Sequence, residues 1–309
     1  MIRHDRWLTP ALMITMVVWG LNFPMVKTLT AWFDTVQLAS LRMVVACSAF
    51  WVLQLLVGRP WPALSRRQWL GLLLCAFNMV YLNQVLFAGG LQRTGAANGA
   101  LIMATSPMVA SLLAAIAFRE PLHVRHLGAL VLGFGGVAVV VLHKPGAALS
   151  GAGLGDLLLV GCVVAYGIGG VIVQRMAARI DALHLSTVIY SFGTVMLLAQ
   201  LAFEQGSTLT VARLFPGWWP WTLVVVSAVL ATTLSNWVWT SAIALQGVAR
   251  TTVFIYWVPV FGMAFSALLL GESLNAWYGL GLALVLAGSR LAASVPRPHP
   301  ATQVSPVAE

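Results

Sequence analysis

The chain has 309 residues, of which 60% are hydrophobic and only 8% charged, with a mean hydropathy of +0.90. Soluble domains carry about 25% charged residues, so a water-facing surface is excluded, and apolar stretches of roughly 17–25 residues suit membrane-crossing helices rather than the short alternating strands of a barrel. The net charge of +9 comes from 17 Lys and Arg scattered at helix ends, with no basic run or aromatic recognition motif, which excludes a nucleic-acid partner and makes the lipid bilayer the surrounding medium.

In chain order the pattern predicts ten helices, at Leu8–Val26, Val36–Val57, Gln68–Ala88, Gly95–Phe118, His126–Leu142, Leu157–Val173, His184–Phe203, Trp221–Leu245, Val248–Leu270 and Ala276–Ala292. The first of these is too long for a cleavable leader and lacks a small-residue cleavage site. Connections are short. Gly58-Arg59-Pro60-Trp61-Pro62 closes the second helix, Lys144-Pro145-Gly146 follows the fifth, and Pro216-Gly217-Trp218-Trp219-Pro220-Trp221 reads as an interfacial segment because indoles favour the headgroup region. Residues 294–309 hold four prolines and little apolar bulk, the composition of a disordered tail. With a cytoplasmic N-terminus, twelve of the 17 Lys and Arg fall on the cytoplasmic side and four outside, leaving Arg42 within a helix. That bias puts both termini in the cytoplasm.

The two halves repeat. Gly95-x-Ala97, Pro107 and Glu120 recur 152 residues later as Gly247-x-Ala249, Pro259 and Glu272, and Trp19-Gly20 falls on Tyr166-Gly167 at a slightly smaller shift. Residues 1–146 and 147–293 are therefore read as two five-helix units. Five is odd, so the second must enter the membrane from the opposite side. Inverted repeats mark secondary transporters, with the solute near midplane between the halves.

Candidate chemistry is sparse. All eight acids (Asp5, Asp34, Glu120, Asp156, Asp181, Glu204, Glu272, Glu309) fall in loops, tails or helix ends. Cys47, Cys75 and Cys162 lie in apolar runs as packing residues, with no metal spacing or disulfide framework. Gly151-x-Gly153-x-Gly155 follows no strand and lacks the lysine of a phosphate loop. No metal and no cofactor is expected. Pro107 and Pro259 sit near mid-helix in matched positions, where a missing N–H kinks the chain and shapes a cavity. Trp19 and Asn22 share a helical face, as do Tyr256 and Pro259. With Asn98, Asn236 and Trp257 they form a candidate substrate-binding set for a neutral or zwitterionic, partly apolar solute. Arg42 joins the set as a candidate for a carboxylate end. An arginine at the bilayer centre costs roughly 2.5–3.5 kcal/mol, so it either serves the solute or snorkels towards the outer end. Glu120 and Glu272 read as helix-end caps or surface groups. Stripes at Gly128, Gly133 and Gly136, and at Gly279, Gly281 and Gly288, predict close helix approach.

Two five-helix halves, Trp19-Gly20-x-Asn22-Phe23 with Lys27, Leu41-Arg42, and Pro107 and Glu120 echoed by Pro259 and Glu272 resemble the EamA family of the drug/metabolite transporter superfamily. The resemblance runs from about Leu8 to Ala293. It implies a bacterial inner-membrane permease with a central cavity lined from both halves, often an exporter of amino acids or related metabolites. The layout is also similar to that of the family's aromatic amino-acid exporters. Small multidrug relatives place an acid mid-helix and this chain does not, which leaves proton coupling and uniport both open. Gly169 and Gln174 stand where Asn22 and Lys27 stand in the first half, so the halves are chemically unequal.

The expected function is alternating-access transport of a small neutral or zwitterionic metabolite, an amino acid or related compound, most simply outward. A carrier of an anionic metabolite such as a sugar nucleotide is an alternative that Arg42 and Lys27 suit. A membrane-embedded lipid-modifying enzyme is a weaker one, since only His123, His126 and Glu120 offer reactive groups near an interface. Substrate identity, direction, coupling ion and oligomeric state are not written in the sequence.

Overall fold

The computed structural model describes residues 5–58, 61, 63–118, 124–143, 152–176, 180–205, 214–246 and 253–293. Among these it is helical throughout, with ten helical segments. The first three are α1 (Asp5–Leu29), α2 (Thr35–Val57) and α3 (residues 66–93). The fourth, α4, runs as Ala96–Met103 and Ser106–Phe118, and α5 is Val124–Leu142. The second set is α6 (Ala152–Met176), α7 (Ala182–Gln205), α8 (residues 218–246), α9 (residues 253–270) and α10 (Ala276–Ala293). Six of them, α1, α2, α3, α6, α7 and α8, are long and apolar enough to cross a membrane by themselves, and the rest carry shorter apolar helices. The chain is thus a multi-pass membrane protein. The predicted tail, with Glu120 and the Gly247–Ala249 motif, lies outside the described residues.

Local sequence explains several ends. Ser65 and Gln68 make a reciprocal capping box that starts α3. Gly58, at φ 63°, closes α2 by donating its N–H to the Gln54 carbonyl, a left-handed position that suits glycine. Two helices are not uniform. Phe77–Leu82 within α3 and Ser227–Leu234 within α8 are π-helical. Two others are irregular. α4 stops at Met103 and resumes at Ser106, and α9, as far as the described residues run, begins as a 3₁₀ turn, Val253–Tyr256, that passes directly into its α-helical part at Trp257–Leu270. Both irregularities have one cause. A proline clashes with the carbonyl four residues earlier; that residue is Met103 for Pro107 and Ile255 for Pro259.

Packing relates the two sets of helices pairwise. α1 packs on α9 as α6 packs on α4; α3 packs on α6 as α8 packs on α1; and α2 meets α8 as α7 meets α3. α5 and α10 form the tightest pair. A Cβ at Gly136 would stand 2.6 Å from the Gly281 carbonyl oxygen, and one at Gly281 would stand 2.8 Å from that of Gly136, so the two backbones touch, as the glycine stripes predict. Large apolar side chains such as Leu55, Leu56 and Leu268 are more than three-quarters exposed. In water that would be an aggregation surface; in a bilayer it is the lipid face.

Candidate functional site

The helix irregularities converge. A cavity of about 180 Å³ opens between the halves, with walls drawn from α1, α2, α3, α4, α6, α7, α8 and α9. From α1 come Trp19, Asn22 and Phe23, one helical face. Asn83 and Gln84 follow directly on the π turn of α3. Met103, Ala104 and Ser106 flank the break in α4, and the 3₁₀ turn of α9 supplies Ile255. π turns often mark functional sites because they re-aim the side chains beyond them.

Arg42 is the polar centre. It is 2% exposed and projects inward from α2. Its Nε donates to Ser227 Oγ at 3.1 Å, Nη1 to Gln84 Oε1 at 3.0 Å and Nη2 to Asn22 Oδ1 at 3.3 Å. The guanidinium therefore reaches three helices and does not snorkel. A guanidinium carries five N–H donors, and all three partners are neutral. No Asp or Glu lines the cavity among the described residues. Gln84 is oriented in turn, its Nε2 donating to Asn83 Oδ1 at 3.4 Å, and Asn83 donates to the Cys162 carbonyl at 3.1 Å.

Aromatic rings form the rest of the wall. Trp19 and Trp239 lie 5.4 Å apart between centroids, and Phe23 meets Phe87 edge-on at 5.6 Å. The Trp19 indole N–H donates to the Ala231 carbonyl at 2.9 Å, inside the π turn of α8, and so ties the first helix to the second half. Tyr166 and Tyr190 complete the ring, Tyr190 packing on Phe50 at 4.8 Å.

Of the sequence candidates, Trp19, Asn22, Arg42 and Asn236 meet around this cavity. Asn236 also donates to the Thr232 carbonyl. Two others do not line it. Asn98 is buried nearer the start of α4, accepting from the Tyr278 hydroxyl at 2.8 Å. Trp257 is 47% exposed and stacks on Phe261. The side chains of Tyr256 and Pro107 lie outside the described residues; Pro259 is buried in α9, next to the lining residue Val258. Sequence reasoning missed Ser227, Thr232 and Trp239. It also left Tyr166 unclaimed, although the repeat sets that residue against Trp19.

Glu272 does cap a helix, but not its own. Its two carboxylate oxygens accept the backbone N–H groups of Ala96, at 2.8 Å, and Ala97, at 2.9 Å, at the start of α4. Two of the orphan donors every helix start carries are thus satisfied from across the molecule. Among the described residues no group of three His, Cys, Asp or Glu side chains is placed to hold a metal ion.

Comparison with known proteins agrees with this architecture. The model of the EamA-like transporter family matches residues 7–142 and again 153–294. The chain is similar to the uncharacterized transporter YetK of Bacillus subtilis strain 168, 24% identical over 252 residues covering 81% of this chain and 76% of that one. It is similar also to a protein of Escherichia coli strain K12 named a probable amino-acid metabolite efflux pump, 25% identical over 284 residues, covering 89% and 91%. A solved crystal structure superposes with a TM-score of 0.62 at 16% identity over 92% of this chain and 96% of that one, a likeness of fold alone.

Proposed function

We propose, from the premise that this chain belongs to the EamA-like transporter family, that it is a secondary transporter moving a small zwitterionic metabolite, an amino acid or close relative, by alternating access. The observation that carries the reading is Arg42. A buried guanidinium among neutral acceptors and aromatic rings is costly without a counter-charge, and a solute carboxylate supplies one, with Trp19, Trp239 and Tyr166 against its apolar part. The E. coli relative's name points to the same solute class. The cavity volume favours it over a sugar nucleotide, since about 180 Å³ is below the 300–1,000 Å³ of drug-sized pockets. A lipid-modifying enzyme has no support in a site with neither nucleophile–base pair nor acid pair.

Alternating access rests on reading residues 1–146 and 147–293 as inverted repeats. Its support is the pairwise exchange of helix contacts, the π turns in α3 and α8, and the proline-linked irregularities in α4 and α9. The Lys and Arg bias supports both termini in the cytoplasm of a bacterial inner membrane, with the Lys27 and Glu272 end outward.

Solute counterflow in proteoliposomes tests the reading. Vesicles preloaded with neutral and aromatic amino acids are expected to accumulate labelled L-phenylalanine or another panel member saturably. Silence across the panel from folded, inserted protein, with exchange of anionic nucleotides instead, would replace this reading with the sugar-nucleotide alternative.

A further inference from the structure

Outside the cavity, one carboxylate is unexplained. Asp156 sits in the second turn of α6, 6% exposed, and its Oδ2 is sealed from solvent without a hydrogen-bond partner among the described residues. Its Oδ1 ends a chain of donors that runs in one direction. The Tyr278 hydroxyl of α10 donates to Asn98 Oδ1 at 2.8 Å, Asn98 Nδ2 donates to Thr94 Oγ1 at 3.3 Å, and Thr94 Oγ1 donates to Asp156 Oδ1 at 2.7 Å. Every member is buried. The chain thus satisfies one oxygen of the acid and leaves the other bare.

We propose that Asp156 is the proton-binding group of this transporter, taking a proton on Oδ2 and thereby linking proton movement to the helix that walls the solute cavity. The proposal rests on the transporter reading. A proton suits the site better than a metal cation. Thr94 Oγ1 commits its hydrogen to Asp156 and a lone pair to Asn98, and Asn98 Oδ1 is taken by Tyr278, so few oxygens remain to coordinate an ion. The mechanical link is α4. Its first half, Ala96–Met103, is held at its start by two acids, directly by Glu272 and through Thr94 and Asn98 by Asp156, and it ends at the cavity wall with Met103. When a proton arrives from the Glu272 end, Asp156 loses its charge, the Thr94 bond weakens and the α4 start is freed from α6. Loss of the proton restores it.

The other ionisable groups around this end are Arg93 of α3, whose Cβ lies against Gly155; Lys27 of α1, whose Nζ donates to the Leu91 carbonyl; Glu272 and Tyr278, which lie within electrostatic reach of each other; and His143 of α5, stacked on Trp277. Asp156 differs from all of them in combining burial with an unpartnered oxygen.

Infrared titration of the full-length protein in liposomes reads the proton directly. The wild type is expected to gain the carbonyl band of a buried carboxylic acid as pH falls, and Asp156→Asn to lack that band. Thr94→Val, which keeps the acid but removes its partner, is expected to shift the band's frequency, and it serves if the Asn variant does not fold. In parallel, L-phenylalanine counterflow should persist in Asp156→Asn while an imposed pH gradient, which drives uptake by the wild type, has no effect on the variant. The proposal is overturned if the band survives in Asp156→Asn, does not move in Thr94→Val, or if the variant remains gradient-driven. Counterflow silent in the wild type as well, with the band present and lost in Asp156→Asn, would sink the amino-acid reading and leave the proton site standing.

Discussion

The two halves of this transporter share a scaffold and divide the chemistry. The first contributes Arg42 with Asn22, Asn83 and Gln84, a side-chain polar cluster aimed into the cavity. The second contributes Tyr166, Tyr190 and Trp239, with Thr232 and Asn236, and Ser227 accepts from Arg42 behind them. Both use a π turn, and an irregular helix near a proline, to build their wall. Backbone irregularities thus recur in both halves, while the side chains they turn to the cavity differ. The Arg42 cluster makes one part of the wall polar, and rings from both halves, Trp19, Phe23 and Phe87 with Tyr166 and Trp239, line the rest.

The sharpest way to break this comparison is to remove the polar part of the wall. Arg42→Ala is expected to raise the half-saturation constant in counterflow by roughly 10- to 150-fold, the worth of about 1.5–3 kcal/mol for a hydrogen bond to a charged group, with the protein still folded. An unchanged constant in folded mutant would dismiss Arg42 as a solute contact.

Forcing the halves to match should fail next. Gly169 occupies the place of Asn22 in the second half, but a Cβ there would stand 2.6 Å from the Met79 Cβ. Gly169→Asn is expected to overpack the α3–α6 contact and cost about 1–3 kcal/mol, read as a lower melting temperature in detergent with no gain in solute affinity. A stable variant with tighter binding would mean that the asymmetry is not imposed by packing.

Smaller changes probe the seam. Ser227→Ala removes the second-half acceptor that the described residues give the Arg42 guanidinium and should weaken apparent affinity by roughly 5- to 10-fold, about 1–1.4 kcal/mol. Trp19→Phe keeps the ring but loses the bond to the Ala231 carbonyl. A loss of about 0.5–1 kcal/mol in stability, with little change in affinity, is the expected result in thermal melts. A large affinity loss would instead assign the indole N–H to the solute.

Much of this was legible beforehand because it depends on spacing. Apolar runs gave ten segments, matched prolines marked the irregular helices, and glycine stripes marked the α5–α10 contact. Trp19, Asn22, Arg42 and Asn236 stood out as costly groups for a bilayer interior, and burial around a shared cavity is what relieves that cost. What escaped had no local signature. Ser227 is one hydroxyl in an apolar run, chosen by Arg42 from 185 residues away. The π turns follow from how α3 and α8 must re-aim their side chains, which no propensity encodes. Asp156 reads as a helix-end acid in sequence, and only the approach of Thr94 shows it buried. Trp257 joined the candidate set as an aromatic near Pro259, yet it is half-exposed and stacks on Phe261 away from the cavity lining.

The backbone contact between Gly136 and Gly281 carries a separate consequence. No residue of α5 or α10 lines the cavity among those described, so under the proposed function this pair stands clear of the solute and acts as a post that fixes spacing. Substitutions on the eight remaining helices can retune selectivity one side chain at a time. At Gly136 or Gly281 a single added methyl group would run into the facing carbonyl oxygen, and its cost would be felt by every solute alike.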